Sequence, residues 1–216
     1  MEDTEFGSAS PTRVAGTDRT LAARSEAGAQ RHWVPGEVGI WAFIFTDLVT
    51  FSAYFISFMY EQGRHRMQFS RGSAELDTML GAANTILLLT ASLFIALTVH
   101  SVRRAASRAA QRFLLGAGAC GSIFIMNKVL EWSTQSANGH TPHDGVFFQM
   151  YYMLTGMHLL HVLIAMVVLG YLWRLTRQVT HPPTEKQMRL LENGASFWHL
   201  TDALWLVLFT LFYLAN

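Results

Sequence analysis

Five separate stretches of this chain are apolar for long enough to cross a bilayer: residues 38–60, 79–102, 113–133, 145–173 and 195–214. A hydrocarbon core about 30 Å thick takes about 20 residues of helix. Lipid offers no partners to backbone N–H and C=O groups, so such segments fold as helices that satisfy their own backbone. The predicted fold is therefore all-α: a polytopic membrane protein with five transmembrane helices and no internal repeat. Residues 1–35 differ in kind. They are rich in Ala, Gly, Ser, Thr and Arg and lack the continuous apolar core of a signal peptide. They are expected to form a disordered cytoplasmic tail ahead of a membrane domain spanning 36–216. Pro35 and Glu37 suit the start of the first helix, where a missing N–H costs nothing and an acid complements the helix dipole.

Charge placement orients the bundle. With the N-terminus inside, twelve of the sixteen Lys and Arg residues fall on cytoplasmic segments, and only Arg64, Arg66 and Arg71 fall outside. Lys128 is the remaining one and lies within a span. The excess of positive charge on one side predicts N-in, C-out. A formal net charge of +1 gives no reason to expect nucleic acid or an acidic partner. The one cysteine, Cys120, lies in an apolar run, where an inert buried thiol is expected.

The informative residues are the ionisable ones inside the spans, because each costs a few kcal/mol to insert, roughly 2.5–3.5 on insertion scales. Asp47 lies about nine residues into the first span, roughly 14 Å deep. It either hydrogen-bonds a neighbouring helix or exchanges protons. Lys128 and Glu131 are three apart, share a helix face and can neutralise each other, as a structural pair or as a site. Trp132 beside them fits an interfacial anchor. The run from Phe147 to Trp173 has no Lys, Arg, Asp or Glu, yet holds His158 and His161 on one face. They can pack and hydrogen-bond, or ligate a metal with further groups; two rings on one helix turn cannot take both faces of a haem. In the last span Trp198, Asp202 and Trp205 form one stripe, an aromatic and polar helix interface. His199 and Asp202 are close enough to hydrogen-bond each other, and Glu192 lies at the cytoplasmic edge. No nucleophile with its base is visible here. The outer loop NGHTPHDG carries His140, His143 and Asp144, a solvated turn or a metal site.

Several segments together resemble subunit III of the haem–copper oxidases. They are GIWAFIFTDLVTF, NTILLLTAS, KVLEW, FFQMYYMLTGMHLLHV and FWHLTDALWLVLFTLFYL. The resemblance covers everything after the tail, and five spans match the short bacterial form. The family's buried acid, usually Glu, is Asp47 here. Glu131 matches the acid near the end of its helix, His158 and His161 match a His pair, and Glu192, Trp198, His199, Asp202 and Trp205 match the terminal motif. PGEVGIW, the Asp for Glu, and KVLEW with HLLHV look more like the branch associated with nitric oxide reductase operons.

The resemblance implies a multi-pass subunit in the plasma membrane of a bacterium. It would pack against catalytic subunits I and II, which hold the haem and copper, while this chain carries no redox centre or metal of its own. Its expected ligand is phospholipid, held in a cleft between helix groups. Its expected role is support of electron transport and proton uptake by the catalytic subunit. Two other classes remain: a stand-alone transporter or proton channel, which also needs buried charge, and a dihaem membrane cytochrome, which needs His ligands facing each other at two depths. Against the first stands the lack of repeats and broken helices. Against the second stands the placement of the histidines, since only His158 and His161 are expected to be deep.

Overall fold

A computed structural model describes residues 38–178 and 183–214. The expectations for the tail, Pro35 and Glu37 lie outside the described residues. Helix α1 runs Val38–Arg64, a short α2 runs Arg66–Ala74, α3 Thr78–Arg103, α4 Ser107–Ala137, α5 Val146–Arg177 and α6 Glu185–Phe209, which ends in a π-helical turn, Thr210–Leu214. Five of these helices are long and apolar enough to cross a membrane, and no strand occurs among the described residues.

Several helices outrun their apolar stretches. α4 starts six residues before 113, and α6 starts ten before 195. The added turns carry Arg108 and Arg112, or Lys186, Arg189 and Glu192. Apolar composition marks what lipid covers, whereas intrahelical hydrogen bonding continues into the polar zone. Local caps set the ends. Asp77 accepts from the N–H groups of Met79 and Leu80 at 2.9 and 3.2 Å to start α3. Thr184 and Gln187 form a capping box for α6. The α3–α4 turn closes α3 with Ala106 N–H to Ser101 O at 2.9 Å and Ala105 N–H to Val102 O at 3.1 Å. That is a Schellman arrangement, and its left-handed residue is Ala105, at φ 59°.

α3 packs on α4 and α6, and α5 packs on α4 and α6, so α3–α6 close into a four-helix group. α1 lies outside it, against α5 and α6. α2 was not foreseen from its polar sequence. It buries Phe69, Gly72 and Ser73. Phe69 meets Phe58 and Phe147 edge-on, and Ser73 Oγ donates to Phe212 O at 2.7 Å. α2 thereby ties the end of α1 to the π-helical turn.

Candidate functional site

Asp47 faces the bundle from α1. Its Oδ1 lies 3.1 Å from His161 Nε2 on α5, and both side chains are about nine-tenths buried. The other ring nitrogen, Nδ1, lies 2.7 Å from Met157 O. A carbonyl only accepts, so Nδ1 carries a hydrogen. Nε2 is therefore the ring nitrogen that faces the Asp47 carboxyl across this helix contact. Phe51 closes the contact edge-on to the His161 ring. Asp47 Oδ2 has no hydrogen-bond partner among the described residues.

His158 lies one turn earlier and is used differently. It is 1% exposed, and neither ring nitrogen has a hydrogen-bond partner among the described residues. Its ring packs between Trp205, 5.2 Å away, and Phe124, 5.7 Å away. The two histidines thus face different neighbours although they share a helix face.

Lys128 is the centre of a closed polar cluster. An ammonium has three donors, and Nζ meets Glu131 Oε2 at 3.1 Å, Tyr151 Oη at 3.1 Å and Tyr213 Oη at 3.0 Å. Both tyrosine hydroxyls in turn donate to Glu131 Oε1, Tyr151 at 2.7 Å. Charge and hydrogen-bonding capacity are satisfied together, with Lys128 and Glu131 side chains 1% and 3% exposed. Nζ also sits 5.1 Å from the centre of the Trp205 ring, a favourable cation–π position. The cluster joins α4, α5 and the π-helical turn. The lysine and glutamate were legible in the sequence, but the tyrosines were not assigned. The available signal was a tyrosine hydroxyl in an apolar run, which needs a partner when buried.

A third cluster lies between α3 and α6. His199 Nδ1 meets Ser92 Oγ at 2.8 Å. Asp202 is buried on the same helix, and its Oδ1 has no hydrogen-bond partner among the described residues. His199 thus bonds the serine of α3. α6 starts at Glu185, so His199 lies fourteen residues into the helix. Glu192 Oε1 pairs with Arg103 Nη2 of α3 at 2.6 Å near the end of that helix. Asn127 Nδ2 donates to Asn84 Oδ1 at 2.9 Å, and Trp205 Nε1 donates to Thr85 Oγ1 at 3.0 Å. Trp198 and Trp205 are 1% and 0% exposed, so their stripe faces the protein interior rather than a membrane surface. Trp132 is half-buried, 5.8 Å from the Tyr152 ring, with its indole N–H buried.

Among the described residues no group of three or more His, Cys, Asp or Glu side chains is placed to hold a metal ion. His140 stacks on Phe148 at 4.6 Å and pairs with Gln135 at 2.9 Å. Asp144 instead accepts from the Thr141 N–H and hydroxyl.

The family model described as cytochrome c oxidase subunit III matches residues 34–216. The chain belongs to that family. It is 26% identical over 178 residues to cytochrome c oxidase subunit 3 of Thermostichus vulcanus, covering 82% of this chain and 86% of the relative. It is 28% identical over 180 residues to cytochrome bo(3) ubiquinol oxidase subunit 3 of Pseudomonas aeruginosa, covering 82% and 83%. Quinol oxidase subunit 3 of Bacillus spizizenii is 25% identical over 182 residues, covering 82% and 85%. The matches support an accessory subunit of a haem–copper oxidase and a multi-pass membrane protein, with a bacterial plasma membrane consistent with these relatives. In this subunit III chain three contacts hold motif residues: Asp47–His161, Lys128–Glu131 and His199–Ser92.

Proposed function

We propose that this chain packs, as a non-catalytic subunit, against catalytic subunits I and II of a respiratory haem–copper oxidase, oriented N-in and C-out. There it supports proton uptake, with Asp47 as the proton-linked acid. The observation that carries the reading is the Asp47–His161 contact. It sets a carboxyl against an imidazole, two groups able to exchange a proton, between α1 and the four-helix group, which supports the reading. Phospholipid accompanies the subunit, and haem and copper belong to the partner. The electron donor is set by that partner, since the relatives named above serve both cytochrome c and quinol oxidases.

The test is affinity purification from native membranes, with haem spectra and identification of the co-purifying chains. A haem-containing oxidase subunit I should co-purify, and Asp47→Asn should slow proton uptake while leaving assembly intact. Recovery with a nitric oxide reductase instead would move the chain to the branch that PGEVGIW and HLLHV resemble. Stoichiometric metal in the isolated chain, or a Soret band lost in His158→Gln or His161→Gln, would overturn the accessory reading.

A further inference from the structure

The outer face of the α4–α5 contact is cut by an apolar groove of about 330 Å³, lined on α4 by Leu115, Gly118 and Ser122 and on α5 by Met166, Gly170 and Trp173. From Leu115 to Ser122 it runs about 10 Å along the axis of α4. The glycines of these helices fall into two kinds. A Cβ on Gly121 would lie 2.7 Å from Met166 Sδ, and one on Gly116 would lie 2.9 Å from the Phe94 ring. Those two let the chain pack closely on itself. Gly118 and Gly170, one on each wall of the groove, have nothing within 4 Å of the same position. Fluid lipid tails fill relief of any shape and require no glycine. A helix of another chain does require it, because two backbones approach closely only over small side chains. Gly118 and Ser122 are four apart, on one helix face. The Ser122 hydroxyl donates to Gly118 O at 2.8 Å, so its proton is already satisfied on that wall.

Charge is arranged at one end only. Gln111 Nε2 donates to Thr176 O at 3.5 Å, so the start of α4 and the end of α5 lie together. On α4, residues 108, 112, 115, 118 and 122 follow helical spacing, and on α5 residues 166, 170, 173 and 177 do the same. Each groove wall therefore runs into arginine: Arg108 and Arg112 on one side, Arg177 on the other. Arg177 lies over the Trp173 ring, 3.7 Å from its centre. None of the three arginines forms a salt bridge with a carboxylate among the described residues. A second copy of this chain is a poor match for them. Copies in one membrane share an orientation, so this end would meet itself. Its acids there, Glu185 and Glu192, are already paired with Arg189 and Arg103. The helix that fits is one that brings its own carboxylates to this end.

We propose that the α4–α5 groove seats a transmembrane helix of a different chain, packed over Gly118 and Gly170, with Asp or Glu at its end pairing with Arg108, Arg112 and Arg177. Among the described residues none from α1 lines the groove, so the seat is separate from Asp47 and stands without the proton-linked reading of that residue. The apolar walls set the depth of the helix, and the three cations set its direction. Helix ends on the cytoplasmic side usually carry Lys and Arg. In the N-in orientation proposed above, carboxylates there single out one helix among many apolar ones, a specificity by charge.

The test is photo-crosslinking of the full chain in its native membranes. A diazirine amino acid replaces Leu115, which lines the groove and is 58% exposed, and in a control it replaces Ile86 on α3, 65% exposed. Crosslinked peptides are identified by mass spectrometry. From position 115 the chain should capture one apolar segment of about 20 residues, with Asp or Glu in the turn nearest Arg108; from position 86 it should not. Gly118→Leu with Gly170→Leu fills the groove where nothing stands within 4 Å, so α4 and α5 keep their packing and the capture is lost. Arg108→Glu with Arg112→Glu leaves the apolar walls intact and should lower the capture about fivefold, the worth of two exposed ion pairs. Changing the captured acids to Lys should then restore it. Capture of phospholipid alone, of a second copy of this chain, or of a helix without acids at that end overturns the proposal. So does capture that survives the filled groove or ignores the arginine reversal. Capture of the acidic helix by a chain that brings down no oxidase subunit supports the seat and removes the proposed function instead.

Discussion

His161 ties α1 to the four-helix group by holding Asp47 Oδ1 at 3.1 Å with one ring nitrogen and the Met157 carbonyl at 2.7 Å with the other. Elsewhere α1 presents largely apolar side chains outward, Phe45 at 70% and Ile56 at 68% exposure among them. The polar contact therefore fixes the rotation of a helix that apolar packing alone would leave weakly specified.

Asp47→Asn should keep this contact, because the amide N–H can donate to the bare Nε2 of a ring protonated at Nδ1. Because the hydrogen bond persists, the expected cost is below about 0.5 kcal/mol, less than the worth of one ordinary hydrogen bond. Asp47→Leu leaves Nε2 buried and unpaired, at about 1–3 kcal/mol. Thermal unfolding in detergent, with proteolysis of α1 as a second readout, separates the two. Equal losses for Asn and Leu would mean that the contact holds nothing.

Ala105 occupies the left-handed position of the turn that closes α3, at φ 59°. A residue with a Cβ pays roughly 1–2 kcal/mol there. Ala105→Gly should therefore stabilise the chain by about 1 kcal/mol despite the extra freedom of glycine in the unfolded state. Unfolding midpoints of the purified protein check this, and a lower midpoint would show that the strain is relieved by other means.

The spans, their number and the buried charges were legible in the sequence because lipid imposes a uniform rule on every segment. Helix ends were less so. The bilayer filter sees apolar residues, while α4 and α6 continue through charged turns that are helical for local reasons such as the Thr184 capping box. α2 was missed because its stability comes from Phe69 and Ser73 docking on distant residues. The Lys128–Glu131 pair follows from i, i+3 spacing, but its tyrosines lie 23 and 85 residues from Lys128, and no local pattern joins them. Asp47 was read as a buried acid from its own helix, while its partner came from α5, four helices on.

Asp144 makes the loop between α4 and α5 pH-sensitive only in acid. Hydrogen bonds from the Thr141 hydroxyl and N–H hold its carboxyl below the usual carboxylate range, with His140 and His143 acting in the same direction. A depressed value in the folded state means that the stabilisation is fully present above the unfolded pKa, about 3.9, and is lost as pH falls through the folded one. Hydrogen exchange of residues 138–145 should thus show equal protection at neutral and mildly acidic pH, once corrected for intrinsic rates. Protection should decline only in stronger acid, and Asp144→Asn should abolish that dependence. Loss of protection centred near the usual histidine pKa would place control at His140 or His143 instead.

Lys128 and Glu131 neutralise each other inside the bundle and share two tyrosine hydroxyls, so they should behave as one unit. Lys128→Met leaves a carboxylate buried without its cation, and Glu131→Gln leaves an ammonium without its anion. Each should cost about 3–5 kcal/mol. The double change removes both charges and retains an amide for the tyrosines, so its loss should fall well short of the sum. Tyr213→Phe removes one hydroxyl that accepts from Lys128 and donates to Glu131, and about 1–3 kcal/mol is expected from the groups left unpaired. The measurement is denaturation of all four variants in one detergent. Additive losses from Lys128→Met and Glu131→Gln would show that the two charges act independently, and the cluster would then be held by its tyrosines and Trp205 rather than by the pair.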